Sequence, residues 1–133
     1  MVNSQRKGAS AEREVAALIA MHLGIKLKRN LEQTREGGHD LILDGESQHW
    51  PIALEIKNYA EARPGQIKEW WTQAVRQGVE ANQTPVLWYK DRRRWRVMLP
   101  GDIFMEGVPW GTMEAYTVTV SPEMFYTVYR EMI

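Results

Sequence analysis

The sequence predicts one α/β domain, residues 1–133, in which a central mixed β-sheet is flanked by helices. A chain of 133 residues with 44% hydrophobic residues is large enough to bury a core of its own. Apolar residues recur at helical spacing in some stretches, and shorter apolar runs bounded by turn residues alternate with them as strands do. No apolar run approaches the roughly 20 residues that cross a bilayer, and cysteine is absent. We therefore expect a cytoplasmic protein without a membrane partner.

Helical periodicity predicts helices at residues 9–23, 66–82 and 124–133. Ser10 and Ser121 are suited to cap the first and third helices, and Gly24 is suited to end the first. Apolar runs between turn residues predict strands at residues 25–29, 40–43, 51–57, 85–89, 95–99 and 113–120. The second and third strands should form a hairpin around residues 44–47, and the fourth and fifth should form another around residues 90–94.

The charges are balanced overall but unevenly distributed. The 17 basic and 17 acidic residues cancel, which is not typical of a nucleic-acid-binding protein. Basic residues are nevertheless concentrated at residues 26–29 and 90–96, and an enzyme with acidic metal ligands in a basic groove can have zero net charge. The second run is either a solvated turn or a phosphate contact, and in the second case Arg93 and Arg94 are the candidates.

Glu55 and Lys57 are the first candidates for chemistry. In the predicted strand at residues 51–57 alternate side chains share a face, so these two lie on one side while Leu54 and Ile56 point into the core. The result is a carboxylate beside an ammonium group on a rigid strand. An ordinary ion pair on a solvated strand face is the alternative.

Asp40 lies at the start of the neighbouring strand, after Gly37 and Gly38. If the two strands pair, Asp40 can lie beside Glu55, and two carboxylates that close repel each other unless a cation lies between them. Oxygen ligands with open coordination positions are those that Mg²⁺ and Mn²⁺ prefer. A hairpin-entry turn with a capping aspartate is the alternative.

Glu12 is the third acidic candidate, because it lies on the apolar stripe of the first helix while Glu14 lies on the opposite side. A carboxylate on a buried stripe is costly unless it is paired or binds a metal. A capping box near the start of the helix is the alternative.

These pieces form a pattern: Arg6-Lys7-Gly8-x-x-x-Glu12-Arg13-Glu14, then Gly37-Gly38-His39-Asp40, then Glu55-x-Lys57. The pattern resembles the PD-(D/E)xK nuclease superfamily, and within it the archaeal-type Holliday junction resolvases and their viral homologues. The resemblance implies a restriction-endonuclease-like core over about residues 6–99. Residues 100–133 form a C-terminal extension beyond it, and their apolar surplus makes this extension a candidate dimer interface that includes Trp110, Tyr116, Phe125, Tyr126 and Tyr129.

The resemblance also implies roles for individual residues. Asp40, Glu55 and the backbone carbonyl of Ile56 would bind Mg²⁺, for which Mn²⁺ can substitute, with Glu12 supporting the site. Lys57 would position or deprotonate the attacking water and stabilise charge on the phosphate. The residues implied or proposed as DNA contacts are Lys7, Arg13, Arg29, Arg35, Arg93 and Arg94. Gln73 is either an accessory phosphate or water ligand, as in some relatives, or polar surface.

The function expected on this basis is metal-dependent hydrolysis of DNA by an endonuclease, with branched DNA as the substrate and a homodimer as the active form. A four-way junction has two-fold symmetry, which a dimer with paired active sites matches. A restriction, repair or nicking nuclease of the same superfamily, acting on duplex or flap DNA, is one alternative. A non-catalytic DNA-binding module is the other.

Overall fold

The computed structural model describes residues 4–31, 40–45, 49–104 and 116–132, with side chains between Gly8 and Glu131. The helices are α1 (Ser4–Leu23), α2 (Pro64–Ala81) and α3 (Pro122–Met132). The strands are β1 (Leu27–Arg29), β2 (Leu41–Leu43), β3 (Ile52–Asn58), β4 (Thr84–Asp91), β5 (Arg94–Pro100) and β6 (Thr117–Val120). A short 3-10 helix, Gly101–Phe104, follows β5.

The strands form one mixed sheet in the order β1-β2-β3-β4-β5-β6. Neighbouring strands are antiparallel except β3 and β4, which are parallel and connected through α2. Both predicted hairpins are present, because β2 pairs with β3 and β4 pairs with β5. The predicted class, a single α/β domain with a mixed sheet flanked by helices, is confirmed, and the arrangement is consistent with a restriction-endonuclease-like fold.

One face of the sheet packs against α1 and α3. Val15 and Ile19 of α1 and Phe125 of α3 are completely buried there with Leu54 and Trp88 of the sheet. The amphipathic pattern of each helix explains this packing, since burial of an apolar stripe is the main source of a helix's stability in a domain.

The C-terminal helix is part of this same core. The rings of Phe125 and Trp88 pack edge to face with their centroids 5.6 Å apart, and Tyr126 is 4% exposed. Tyr129 donates a hydrogen bond to the backbone oxygen of His49. Phe125 and Tyr126 are therefore unavailable for contact with a second copy, whereas Tyr116 is exposed. Trp110 lies outside the described residues.

The opposite face of the sheet packs against α2. Trp70, Trp71 and Ala74 of the helix are buried against Leu87 and Tyr89 of β4. Helix α2 connects the adjacent parallel strands β3 and β4 and lies across both of them. No helix in the part of the chain that the structure describes is long and apolar enough to span a bilayer.

The helix ends differ in part from those the sequence predicts. Helix α1 begins at Ser4 and not after Ser10, because Gln5, Arg6 and Lys7 are good helix formers and nothing in the sequence stops the helix there. Its C-terminal end is as predicted, since Gly24 adopts a left-handed φ of 69°. Ser121 accepts a hydrogen bond from the backbone N–H of Met124, which confirms it as the cap of α3.

Gly78→Ala should destabilise the protein, although alanine favours helices by about 1 kcal/mol over glycine. A Cβ at Gly78 would lie 2.8 Å from the backbone oxygen of Gln83 and 3.0 Å from Cδ of Pro85. We expect a loss of about 1–3 kcal/mol in the free energy of unfolding, measured with urea. Gly65→Ala is the matched control, because a Cβ there would meet no described atom within 4 Å apart from the chain neighbours and nearby backbone of its own helix. Equal effects of the two substitutions would contradict the close approach of α2 to β4.

Candidate active site

Asp40 and Glu55 meet on the face of the sheet that α2 covers. Leu41 of β2 pairs with Leu54 of β3, and both side chains are buried on the α1 face. Since successive side chains of a strand alternate between faces, Asp40 and Glu55 are both directed to the α2 face. The two residues are 5% and 3% exposed, so both carboxylates are almost completely shielded from water. The predicted adjacency of Asp40 and Glu55 is thus present in the structure.

The backbone fixes Asp40 in this position. Its N–H donates to the backbone oxygen of Leu54 at 2.8 Å, and its own carbonyl oxygen accepts from Asn30 of the β1 side at 2.9 Å. Its Oδ2 accepts a 2.6 Å hydrogen bond from the backbone N–H of Ile56. The Asp40 carboxylate therefore satisfies a backbone donor of β3 at the point where β2 begins, which holds it next to Glu55.

The electrostatics of the pair are unfavourable without a proton or a cation. Burial, and after it the neighbouring Asp40 carboxylate, raise the pKa of Glu55 from its ordinary value of 4.5 to about 8. Lys57 acts against this rise through its charge and a hydrogen bond. The pair is close enough for a hydrogen bond between the two side chains, so one shared proton can relieve the repulsion.

Lys57 completes the cluster from the same strand. Its Nζ lies 3.3 Å from Oε1 of Glu55, and its side chain is only 22% exposed. The predicted carboxylate and ammonium pair on one strand face is therefore present, but it is largely buried, unlike a solvated surface ion pair. The buried apolar residues Leu54 and Ile56 hold β3 in the core and so fix both side chains.

The donor set at this point suits a hard divalent cation. Oε2 of Glu55 is buried, and no donor among the described residues reaches it. A buried acceptor with no donor beside a second carboxylate is costly, and a cation bound by both would remove that cost. Magnesium commonly uses one or two carboxylates and keeps several waters. Asp40, Glu55 and the carbonyl oxygen of Ile56 are the groups that could hold it.

Glu12 is not brought into this pair. It is buried, as the sequence predicts, but its Oε2 accepts a hydrogen bond from Nε of Arg29 in an ion pair. In the register of β1 and β2, Arg29 lies opposite Leu41, whose side chain is buried on the α1 face. The ion pair of Glu12 and Arg29 therefore lies on that face, and Glu55 lies on the other. No group of three or more histidine, aspartate or glutamate side chains within residues 4–31, 40–45, 49–104 and 116–132 could hold a metal.

A family model described as "Phage putative PDDEXK endonuclease" matches residues 3–126, almost the whole chain. The chain belongs to this family. It is a nuclease of the PD-(D/E)xK superfamily, as the pattern of Glu12, Asp40, Glu55 and Lys57 predicts. The match supports the superfamily and not the narrower likeness to Holliday junction resolvases. A sequence search of curated proteins found no match.

The other predicted contacts of this endonuclease are spread over several elements. Arg13 is exposed on α1, Gln73 is half-buried on α2, and Arg93 and Arg94 are exposed at the β4–β5 turn. Lys7 is in the first turns of α1, but its side chain lies outside the described part of the chain, as does the whole of Arg35. The roles assigned to these residues stay predictions.

Gln77 is a polar residue of the endonuclease that the sequence analysis did not single out. It is 6% exposed on α2, and its Oε1 accepts no hydrogen bond from the described residues. The four-residue spacing from Gln73, which places both on one side of the helix, was the available signal.

On the other flank of α2 lies a cavity of about 730 Å³, lined by residues that include Ile67, Trp71, Val75, Met98 and Thr119. None of the predicted site residues lines it.

Glu55→Gln should remove a pH dependence of stability in the endonuclease. The pKa of Glu55 is about 8 in the folded chain against an ordinary 4.5, so between these values the folded state binds more protons than the unfolded state. The contribution of Glu55 to stability is therefore fully present below about pH 4.5 and is lost as pH rises through about 8. Without divalent cations, we expect the melting temperature of the wild type to fall over this range and that of Glu55→Gln to change much less.

Glu69→Gln, at an exposed position of α2, is the matched control and should keep the wild-type slope. The same slope in Glu55→Gln as in the wild type would show that the buried pair does not carry the ionisation cost described above.

Proposed function

We propose that this chain is a Mg²⁺-dependent endodeoxyribonuclease whose active site is formed by Asp40, Glu55 and Lys57. The observation that carries the proposal is the burial of two adjacent carboxylates with an ammonium group 3.3 Å from one of them. Such an arrangement costs stability in the absence of a cation, and costly, perturbed ionisable groups cluster at functional sites. Membership of a PDDEXK endonuclease family supports the same reaction class.

The residues of the site have distinct roles in this proposal. Asp40, Glu55 and the carbonyl oxygen of Ile56 hold the divalent cation. A cation held there supplies Lewis acidity, which lowers the pKa of water and offsets negative charge on the phosphate. Lys57 lies beside Glu55, where its ammonium form can orient the attacking water and stabilise charge on the phosphate oxygens. Only its free amine form could accept a proton from that water. Lys57 is largely buried, so its position is already fixed before DNA binds.

Glu12 acts through Arg29 in this proposal and not as a cation ligand. The ion pair joins α1 to β1, and Asn30, the residue after Arg29, donates to the backbone oxygen of Asp40. Glu12 therefore supports the backbone that holds Asp40. Arg13 follows Glu12 on α1 and is exposed, which suits the phosphate contact that the resemblance implies.

Branched DNA is the proposed substrate, and a homodimer is the proposed active form. The sequence resemblance to junction resolvases supports the first, and the two-fold symmetry of a four-way junction supports the second. Because Phe125 and Tyr126 are buried within the chain, a dimer would have to use other surfaces. The alternative within the same superfamily is a nuclease that cuts linear duplex or flap DNA.

Asp40→Asn and Glu55→Gln should each lower Mg²⁺-dependent cleavage of a synthetic four-way junction by at least about 100-fold, because each removes one charged cation ligand. Binding of the junction in the presence of EDTA should change little, since neither side chain contacts DNA in this proposal. We expect the wild type to cut the junction faster than a linear duplex of matched sequence. Cleavage products on denaturing gels and fluorescence anisotropy measure the two properties.

Glu69→Gln is the control, since it removes an acid of the same kind from an exposed position of α2. Wild-type cleavage by Asp40→Asn or Glu55→Gln would refute the assigned site. DNA binding without cleavage by the wild type at any Mg²⁺ or Mn²⁺ concentration would favour a non-catalytic DNA-binding module. Equal cleavage of the junction and the duplex would favour the other nucleases of the superfamily.

A further inference from the structure

The turn between β4 and β5 contains two arginines in a backbone conformation that arginine rarely adopts. Arg92 and Arg93 have φ values of 51° and 68°, and they connect the paired residues Asp91 and Arg94. A two-residue turn with positive φ at both positions is a type I′ turn, for which Asn-Gly is the preferred sequence. Two arginines there cost stability, because a side chain crowds the backbone in the left-handed region.

The positive charge of this turn is directed at solvent. Arg92, Arg93 and Arg94 are exposed, and none of them forms an ion pair within the described ranges of the chain. The neighbouring charged side chains of Lys90 and Asp91, in contrast, form contacts within the chain. Lys90 lies 3.4 Å from Oε2 of Glu14, and Oδ1 of Asp91 accepts a hydrogen bond from the backbone N–H of Ala62.

The turn is fixed beside the candidate active site. Strand β4 is parallel to β3, and Tyr89 lies opposite Lys57 in the register. The turn therefore begins at Arg92, three residues further along the chain than the position opposite Lys57. At a rise of about 3.3 Å per residue and a strand spacing of about 4.8 Å, the Cα atom of Arg92 lies roughly 11 Å from the Cα atom of Lys57. The N–H of Arg92 also donates to the backbone oxygen of Ala60, in the loop that follows β3.

An exposed aromatic side chain lies on that same loop. Tyr59, two residues after Lys57, is 45% exposed, and its ring stacks on that of Trp70 with centroids 5.0 Å apart. Exposed aromatic rings next to arginines are typical of surfaces that bind nucleic acids. This surface therefore continues from Lys57 past Tyr59 to the two arginines.

We propose that the Arg92-Arg93 turn binds backbone phosphates of the DNA strand close to the bond that is cut. The proposal rests on the nuclease function proposed above and adds a contact to it. The planar guanidinium group forms paired hydrogen bonds with phosphate oxygens, which a lysine ammonium group cannot do. The strained turn is retained, on this account, because Asn-Gly would provide a better turn but no phosphate contact.

The double variant Arg92→Asn/Arg93→Gly tests this directly, because turn stability and DNA binding should change in opposite directions. We expect its melting temperature to rise by a few degrees, about 2–6 °C. Its affinity for duplex DNA, measured by fluorescence anisotropy in EDTA, should fall about tenfold, and the slope of log K against log salt should become shallower by about two. Arg92→Lys/Arg93→Lys should keep the slope but lose part of the affinity.

The control variant removes two positive charges from other parts of the chain. Arg76→Gln/Lys28→Gln changes two exposed residues, one on α2 and one on β1, and should bind DNA within about twofold of the wild type. Wild-type affinity and salt slope in Arg92→Asn/Arg93→Gly would overturn this proposal and leave the nuclease function intact. A lower melting temperature in that variant would contradict the strain in the turn on which the proposal depends. If the wild type itself binds no DNA, both this proposal and the nuclease function fail.

Discussion

Asp40 and Glu55 repel each other in a part of the sheet that water hardly reaches, and the rest of the site is arranged around that repulsion. Both carboxylates are almost fully buried, and burial together with their proximity raises the pKa of Glu55 to about 8. Strand β3 cannot move away, because Leu54 and Ile56 fix it in the core. Lys57 offsets part of the repulsion, and a proton or a bound divalent cation would relieve the rest.

The two faces of the sheet have different roles around this pair. On one face, α2 covers β3 and β4, and Asp40, Glu55 and Lys57 lie beside it. On the other, α1 and α3 form the larger part of the core, and Glu12 pairs there with Arg29. The second pair is connected to the first through the backbone hydrogen bond between Asn30 and Asp40. Helix α1 is therefore connected to the candidate site through strand pairing, and Glu12 does not lie beside the two carboxylates.

Alternation along β3 made the geometry of the candidate site largely predictable from the sequence, since it placed Glu55 and Lys57 on one face, and the hairpin brought Asp40 to Glu55. The position of Glu12 could also have been predicted. Glu12 lies on the apolar stripe of α1, which packs against the face of the sheet that holds Leu54 and Ile56, whereas Glu55 points to the other face. The early start of α1 and the burial of Phe125 and Tyr126 were not predictable in this way. The first depends on local helix propensity and the second on tertiary packing against Trp88, which no pattern within one element encodes.

Direct titration of the DNA-free protein with Mg²⁺ or Mn²⁺ tests the central claim most sharply, because it separates cation binding from cleavage. Calorimetry near pH 7 in buffers of different ionisation enthalpy should show that binding releases a proton, since the pKa of Glu55 is about 8 before the cation binds. The proton release should be absent in Glu55→Gln, and binding should be strongly weakened in Asp40→Asn. Cation binding of equal strength in the wild type and both variants, or no binding by the wild type, would contradict this account.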